Sequence, residues 1–314
     1  MKLPFQKSIA DRRGAGRRAF SLIEIMVSVS LLSVIIVGLL LMFYQVQRAF
    51  RAGTTQVDIL EGGRATMNIL VRDLQEMTAC RLTNSRAIFN CLIRPSTLPD
   101  GSPIAATATP TYQDLPSGSR RTNWLQDITF LSRQNDEWRA ISYRVVFATN
   151  GVGTLYRLLE TTNRMTLADA NSNALRNISL VSQTEFSAVS TNYHRVVDGV
   201  VSFDVRALDT NGFPFPNIDP TGPPANPNDR WSPNIFVDIA GARYEFFGDE
   251  VPAYVDVELA ILEPTALAKF RAREEVSQTQ ALEYLERQVG KTHVFRQRVA
   301  IRPATAQLRT LTFN

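Results

Sequence analysis

Histidine and cysteine are scarce in this chain: two of each in 314 residues. Cys80, Cys91, His194 and His293 are not spaced as a metal-ligand cluster. The nucleophile elbow G-x-S-x-G is absent, as are the P-loop, H-E-x-x-H and G-x-G-x-x-G. Gly151-Val152-Gly153 reads as a hairpin turn, not a nucleotide loop. His194, between Tyr193 and Arg195 at a strand start, reads as a surface residue. No enzyme class is therefore signalled, and neither a cofactor nor a metal is expected. A basic body is missing too. Lys2, Lys7, Arg12, Arg13, Arg17 and Arg18 stand against Asp11 alone, so the leader holds more than the whole formal net charge of +4. The rest is near neutral and offers no nucleic-acid surface.

Long apolar runs are absent except for one. Phe20 to Phe43 is 24 residues with a single charged side chain, Glu24. At about 1.5 Å per residue, such a helix crosses a bilayer. A cleaved secretory signal would have a shorter apolar core of about 7–15 residues and a small-x-small site after it. The sequence after Phe43, Tyr44-Gln-Val-Gln-Arg-Ala-Phe-Arg-Ala-Gly53, lacks such a site. The basic residues of the leader place it on the cytoplasmic side, with the body exported. A carboxylate inside a membrane span is expensive, so Glu24 calls for a partner. The alternative is a carboxylate snorkelling to the nearby interface.

Arg17-Arg18-Ala19-Phe20-Ser21-Leu22-Ile23-Glu24 resembles the type III signal of type IV pilins and type II secretion pseudopilins. The resemblance implies cutting between Ala19 and Phe20 by a prepilin peptidase/methyltransferase, then N-methylation of Phe20. It also implies an assembly role for Glu24, which would meet the terminal amine of a neighbouring subunit. An amine and a carboxylate attract far more strongly in apolar surroundings than in water. Ala19 departs from the family, where Gly usually precedes the cut.

Beyond Phe43 a stripe runs Val46, Phe50, Gly53, Val57, Leu60, Arg64, Met67, Val71, Leu74, Thr78, in alternating steps of four and three. It predicts that the helix continues with an amphipathic face. From Phe20 to Thr78 it would span about 90 Å. Gly62-Gly63 would weaken it and mark a bend. Cys80 and Cys91 follow in a region expected outside the cytoplasm, where an even count suggests a disulfide. Two free thiols are the alternative.

Residues 95–123 read as a surface loop. Strands are expected at Asp127–Ser132, Arg139–Ala148 and Thr154–Leu159, the last two as a hairpin. A further strand pair is expected around Val196–Leu208, closed by a turn at Asp209–Gly212. Residues 213–234, rich in Pro, Asn and Asp, read as a long loop. Its oxygen-bearing side chains lack the spacing of a calcium loop and read as solvated turns. Tyr254–Leu262 alternates as a half-buried strand. A helix opening at Glu263-Pro264 has an apolar face of Leu267, Phe270, Leu282, Leu285 and Val289, with Gly290 as its C-terminal cap. His293–Arg302 is the last strand.

This order resembles the minor pseudopilin J family of type II secretion (GspJ-like), with a helical insertion at 263–290. The insertion and the ending His293-Val-Phe-Arg-Gln-Arg-Val-Ala-Ile-Arg302 are closer to the Verru_Chthon cassette protein C group of prepilin-like proteins. The implied fold is α+β and pilin-like, a long N-terminal α-helix packed on a mainly antiparallel β-sheet domain. Its parts are a leader at 1–19, a transmembrane half at 20–43, an amphipathic half at 44–79 and a globular domain at 80–314. The implied function is a non-enzymatic subunit, a minor pseudopilin of the tip or initiation complex, in a type II secretion pseudopilus or type IV pilus-like filament. Its expected partners are the processing enzyme, other major and minor pseudopilins or pilins, and the inner membrane, with the globular domain periplasmic. The alternative is a membrane-anchored periplasmic binding protein or hydrolase that does not assemble.

Overall fold

The computed structural model describes residues 21–79, 89–96, 111–134, 137–147, 151–161, 193–218, 234–239 and 242–301. The chain divides into two compact units, Met1–Thr54 and Thr55–Asn314. Helix α1, Leu22–Gln75, runs through the boundary between them. It contains no proline, and Ser21 precedes it. The Glu24 amide donates to the Ser21 carbonyl at 3.0 Å and to its Oγ at 3.3 Å, a hydroxyl N-cap. At the other end, Thr78 donates to the carbonyl of Leu131 at 2.9 Å, so the helix terminates on the sheet.

In the second unit, α1 buries Ile59, Gly63, Thr66, Met67, Leu70, Asp73 and Leu74, and Met77 is buried just beyond its end. These positions recur on successive turns of one face, but it is not the stripe expected from the apolar pattern. Met67 and Leu74 are shared; Val46, Phe50, Gly53, Val57 and Arg64 are exposed. The buried face is rotated because two contacts that hydrophobicity does not report select it. One is at Gly63, where a Cβ would lie 2.2 Å from two ring carbons of Phe295. The other is Asp73, which is 3% exposed. Its carboxylate accepts from the Tyr143 hydroxyl at 2.5 Å and from Arg157 at 2.6 and 3.0 Å. The helix α1 is continuous through Gly62-Gly63, and Gly63 gives the close approach of Phe295.

Among the described residues, the sheet has nine antiparallel-paired strands. They are β1 Phe89–Pro95, β4 Gln126–Gln134, β5 Glu137–Phe147, β6 Gly153–Thr161, β7 Tyr193–Leu208, β8 Ile235–Asp238, β9 Arg243–Phe247, β10 Tyr254–Leu262 and β11 Thr292–Ala300. Their order is β11-β10-β7-β6-β5-β4-β1-β9-β8. Alternation sets the core: Ile93, Phe130, Tyr143, Val145, Phe203, Val205, Phe246, Val257 and Leu259 pack with Leu70 and Leu74 of α1. Each fully buried large side chain stabilises by about 1.5–3 kcal/mol. The sheet curls, since the chain entering β4 returns to β7. There the Phe203 amide donates to the Trp124 carbonyl at 2.7 Å and the Val205 amide to the Gln126 side chain at 2.6 Å.

Several local expectations change. Residues 193–208 form one 16-residue strand, not a pair, because its partners β6 and β10 are distant in sequence. The stretch read as a loop at 95–123 contains a separate hairpin, β2 Thr111–Asp114 with β3 Arg120–Asn123. Residues 97–110 lie outside the described residues. In the loop read at 213–234, Phe215 and Ile218 are buried core and Ile218 pairs with Val237; residues 219–233 lie outside the described residues. The Asp209 carboxylate accepts from the amides of Asn211 and Phe213 at 2.9 and 2.8 Å, which closes the turn at Gly212 (φ 78°).

The insertion is two helices, α2 Pro264–Glu274 and α3 Gln278–Glu286, because Ser277 is extended and breaks the run. Ala266, Leu267, Phe270, Ala281 and Leu285 cluster with Val201 and Leu262. Val201 and Val200 belong to different clusters, so the helix pair covers the sheet face opposite α1. Gly290 does not cap α3. It lies in a 3-10 turn, Val289–Lys291, after the helix has ended.

Candidate processing and assembly site

The first unit presents an apolar surface. Leu22, Ile23, Met26, Val34 and Leu41 are each more than 60% exposed, and the most apolar 18-residue window of α1 is 0% buried. By length and composition this helix is able to cross a membrane. Its serines suit that setting. Ser28, Ser30 and Ser33 each donate a side-chain hydrogen bond of 2.9 Å to the helix's own carbonyls. Their hydroxyls therefore do not enter hydrocarbon unpaired.

Glu24 sits in the first turn of α1 and is exposed. It occupies the third helical position after the Ser21 cap, so Ser21-Leu22-Ile23-Glu24 has the spacing of a capping box. A carboxylate there also faces the positive end of the helix dipole. The sequence expectation for Glu24 is an assembly contact or a snorkelling carboxylate; the S-x-x-E spacing is the signal for this further, local arrangement.

Ala19 and Phe20 lie outside the described residues. Cys91 is on β1 and fully buried; Cys80 lies outside the described residues. As a thiol, Cys91 would be pushed far above its ordinary pKa by burial. His293 is near Glu263 at 3.4 Å, and among the described residues no three His, Cys, Asp or Glu side chains gather in a metal-binding group.

The ionic content of the second unit is concentrated in paired groups. Asp127 accepts from Arg144 at 2.8 Å and from Ser96 at 2.5 Å, with Asp127 and Arg144 both nearly inaccessible. Burial nevertheless raises the Asp127 carboxyl above the usual range, opposed by Arg144, Ser96 and Arg94. Such pairs fix the strands and α1 in register and are costly to break.

Residues 15–40 match the family model described as the prokaryotic N-terminal methylation motif. A search of the curated proteins finds no match to the chain. The motif covers the leader junction, Glu24 and most of the apolar run, and it supports a type IV pilin-like protein. With it come processing by a prepilin peptidase and assembly with other pilins as the motif's implied chemistry. The exposed apolar helix fits membrane anchoring by a single span.

Proposed function

We propose that the chain is a non-enzymatic subunit of a type II secretion pseudopilus or type IV pilus-like filament, and within that class a minor pseudopilin acting in tip or initiation assembly. The supporting observation is the methylation motif at 15–40, continuous with an exposed helix whose only charged residue before Arg48 is Glu24. In this reading the precursor sits in the inner membrane with its leader cytoplasmic and its sheet domain periplasmic. Cleavage before Phe20 creates an amine, which is methylated and pairs with Glu24 of an adjacent subunit. Cleavage and assembly are then linked, because the partner of Glu24 exists only after the cut.

N-terminal mass spectrometry tests this first. In cells with a working prepilin peptidase, the mature chain should begin at N-methylated Phe20. An intact leader would favour the anchored, non-assembling alternative. Glu24→Gln then separates the two roles of this side chain. It retains a side chain able to cap but removes the charge, so membrane insertion should persist while co-purification with partner pilins is lost. Unchanged co-purification would remove Glu24 from the assembly mechanism.

A further inference from the structure

The sheet ends at β11, and its last three strands carry an ordered ladder of charges on one face. Asp256 of β10 is directly opposite Arg206 of β7 on one side and Arg298 of β11 on the other. Glu258 is opposite Asp204 and Arg296 in the same way. The Arg298 guanidinium donates to both Asp256 oxygens at 2.7 and 2.8 Å, and Arg296 donates to Glu258 at 2.6 Å. Arg121 of β3 also reaches Glu258. The six charged residues of β7, β10 and β11 line an open recess together with Val257 and Gln297.

The ladder stops on two cations at an open edge. Among the described residues, β11 pairs with β10 alone. Arg296 and Arg298 have side chains 72% and 53% exposed, and Val294 is 42% exposed beside them. Backbone N–H and C=O groups along the outer side of a terminal strand form a template for one more strand. The next strand places its side chains directly opposite those of β11, about 4.5–5.5 Å away between Cβ atoms. Opposite Arg296 and Arg298, the complement is a pair of carboxylates two residues apart. β10 solves the same problem on the inner side with Asp256 and Glu258.

We propose that the outer edge of β11 is a docking site for an extended acidic segment of another polypeptide, which joins the sheet as a tenth strand with acidic residues at i and i+2. A second copy of β11 is a poor occupant. Antiparallel self-pairing centred on Arg296 or Gln297 sets arginine against arginine, which is destabilising. The same two arginines repel strands that carry basic residues at those positions, so they act as a selectivity element. This inference concerns the sheet domain alone and does not depend on cleavage, methylation or filament assembly.

The test uses the full chain in detergent micelles and a labelled peptide, acetyl-Thr-Val-Asp-Val-Glu-Val-Thr-amide. A control peptide has lysine at both acidic positions. Fluorescence anisotropy reports affinity and hydrogen exchange reports the site. Saturable binding is expected, with new amide protection confined to Thr292–Ala300. The lysine peptide and the Arg296→Ala/Arg298→Ala double variant should each weaken binding by about tenfold or more, the change expected from about 1.4 kcal/mol. Failure to protect β11, protection at the β8 edge instead, or equal binding of the lysine peptide by the unmodified protein overturns the proposal. The peptide swap keeps the test decisive even if the double variant folds poorly.

Discussion

Replacing Gly63 by alanine sets two effects of opposite sign against each other. In a helix interior, glycine to alanine stabilises by about 1 kcal/mol through propensity. At Gly63, however, the added Cβ would stand 2.2 Å from Cε2 and Cζ of Phe295 and 2.8 Å from Cε1. Such separations cannot be occupied, so the ring or the helix must move. Phe295 is partly buried against the main core, which limits where its ring can go. Forcing extra atoms into a packed site costs about 1–3 kcal/mol. Gly62 supplies the control, since a Cβ there meets nothing within 4 Å. Gly62→Ala should therefore stabilise by about 1 kcal/mol, while Gly63→Ala should be neutral to destabilising, at most about 2 kcal/mol. Urea unfolding of the full chain in detergent, followed by the fluorescence of its three tryptophans, measures both. A double-mutant cycle with Phe295→Leu should show positive coupling, because a smaller side chain admits the new methyl group. If Gly63→Ala stabilises as much as Gly62→Ala and shows no coupling to Phe295, the close approach of helix to strand is wrong.

Other expectations follow from the buried charges and the cysteines. Asp73→Asn removes the charge that accepts from Tyr143 and Arg157. It should destabilise by about 3–5 kcal/mol, the usual range for breaking a buried pair, and a loss below about 1 kcal/mol in the same urea assay would contradict the pairing. Asp127 has a folded pKa raised by burial. Between the ordinary aspartate value and that raised value, the native state binds more protons than the unfolded chain, so this group's contribution to stability falls as pH rises. The stability difference between the wild type and Asp127→Asn should shift against the wild type across that window; a flat or opposite trend refutes the assignment. For the cysteines, a Cys80–Cys91 bridge would add about 2–3 kcal/mol by closing a short loop. The unfolded, unreduced chain should take up no alkylating agent, and two adducts by mass spectrometry would exclude the bridge.

Much of the sheet domain was legible because its strands announce themselves by period. Tyr254–Leu262 alternates cleanly and forms β10 over that same range. The β5–β6 hairpin carries its turn between two apolar runs. β1, β8 and β9 were missed because they are short and carry charges such as Arg94, Asp238 and Glu245 within the strand. β2 and β3 were missed because TYQD and RRTN contain almost no apolar residues. Their hairpin is held by contacts distant in sequence, such as Gln113 to Thr292 at 2.9 Å and Arg121 to Glu258. At the N-terminus, the span and its lone carboxylate were plain in the sequence, whereas the cap at Ser21 emerged with the backbone geometry.

The sequence by itself determined the membrane-competent helix, the processing motif and the α+β class, because each rests on local composition and period. A run of 24 residues with one charge is a property of the chain, whatever surrounds it. Only the tertiary structure decided which face of α1 is buried, that residues 193–208 make one strand between two distant partners, and where the charge ladder ends. Those outcomes depend on pairings across long sequence separations, such as Asp73 with Arg157 and Asp256 with Arg298. Hydrophobic pattern ranks the faces of a helix, but the approach of Phe295 to Gly63 and the partner of Asp73 choose among them.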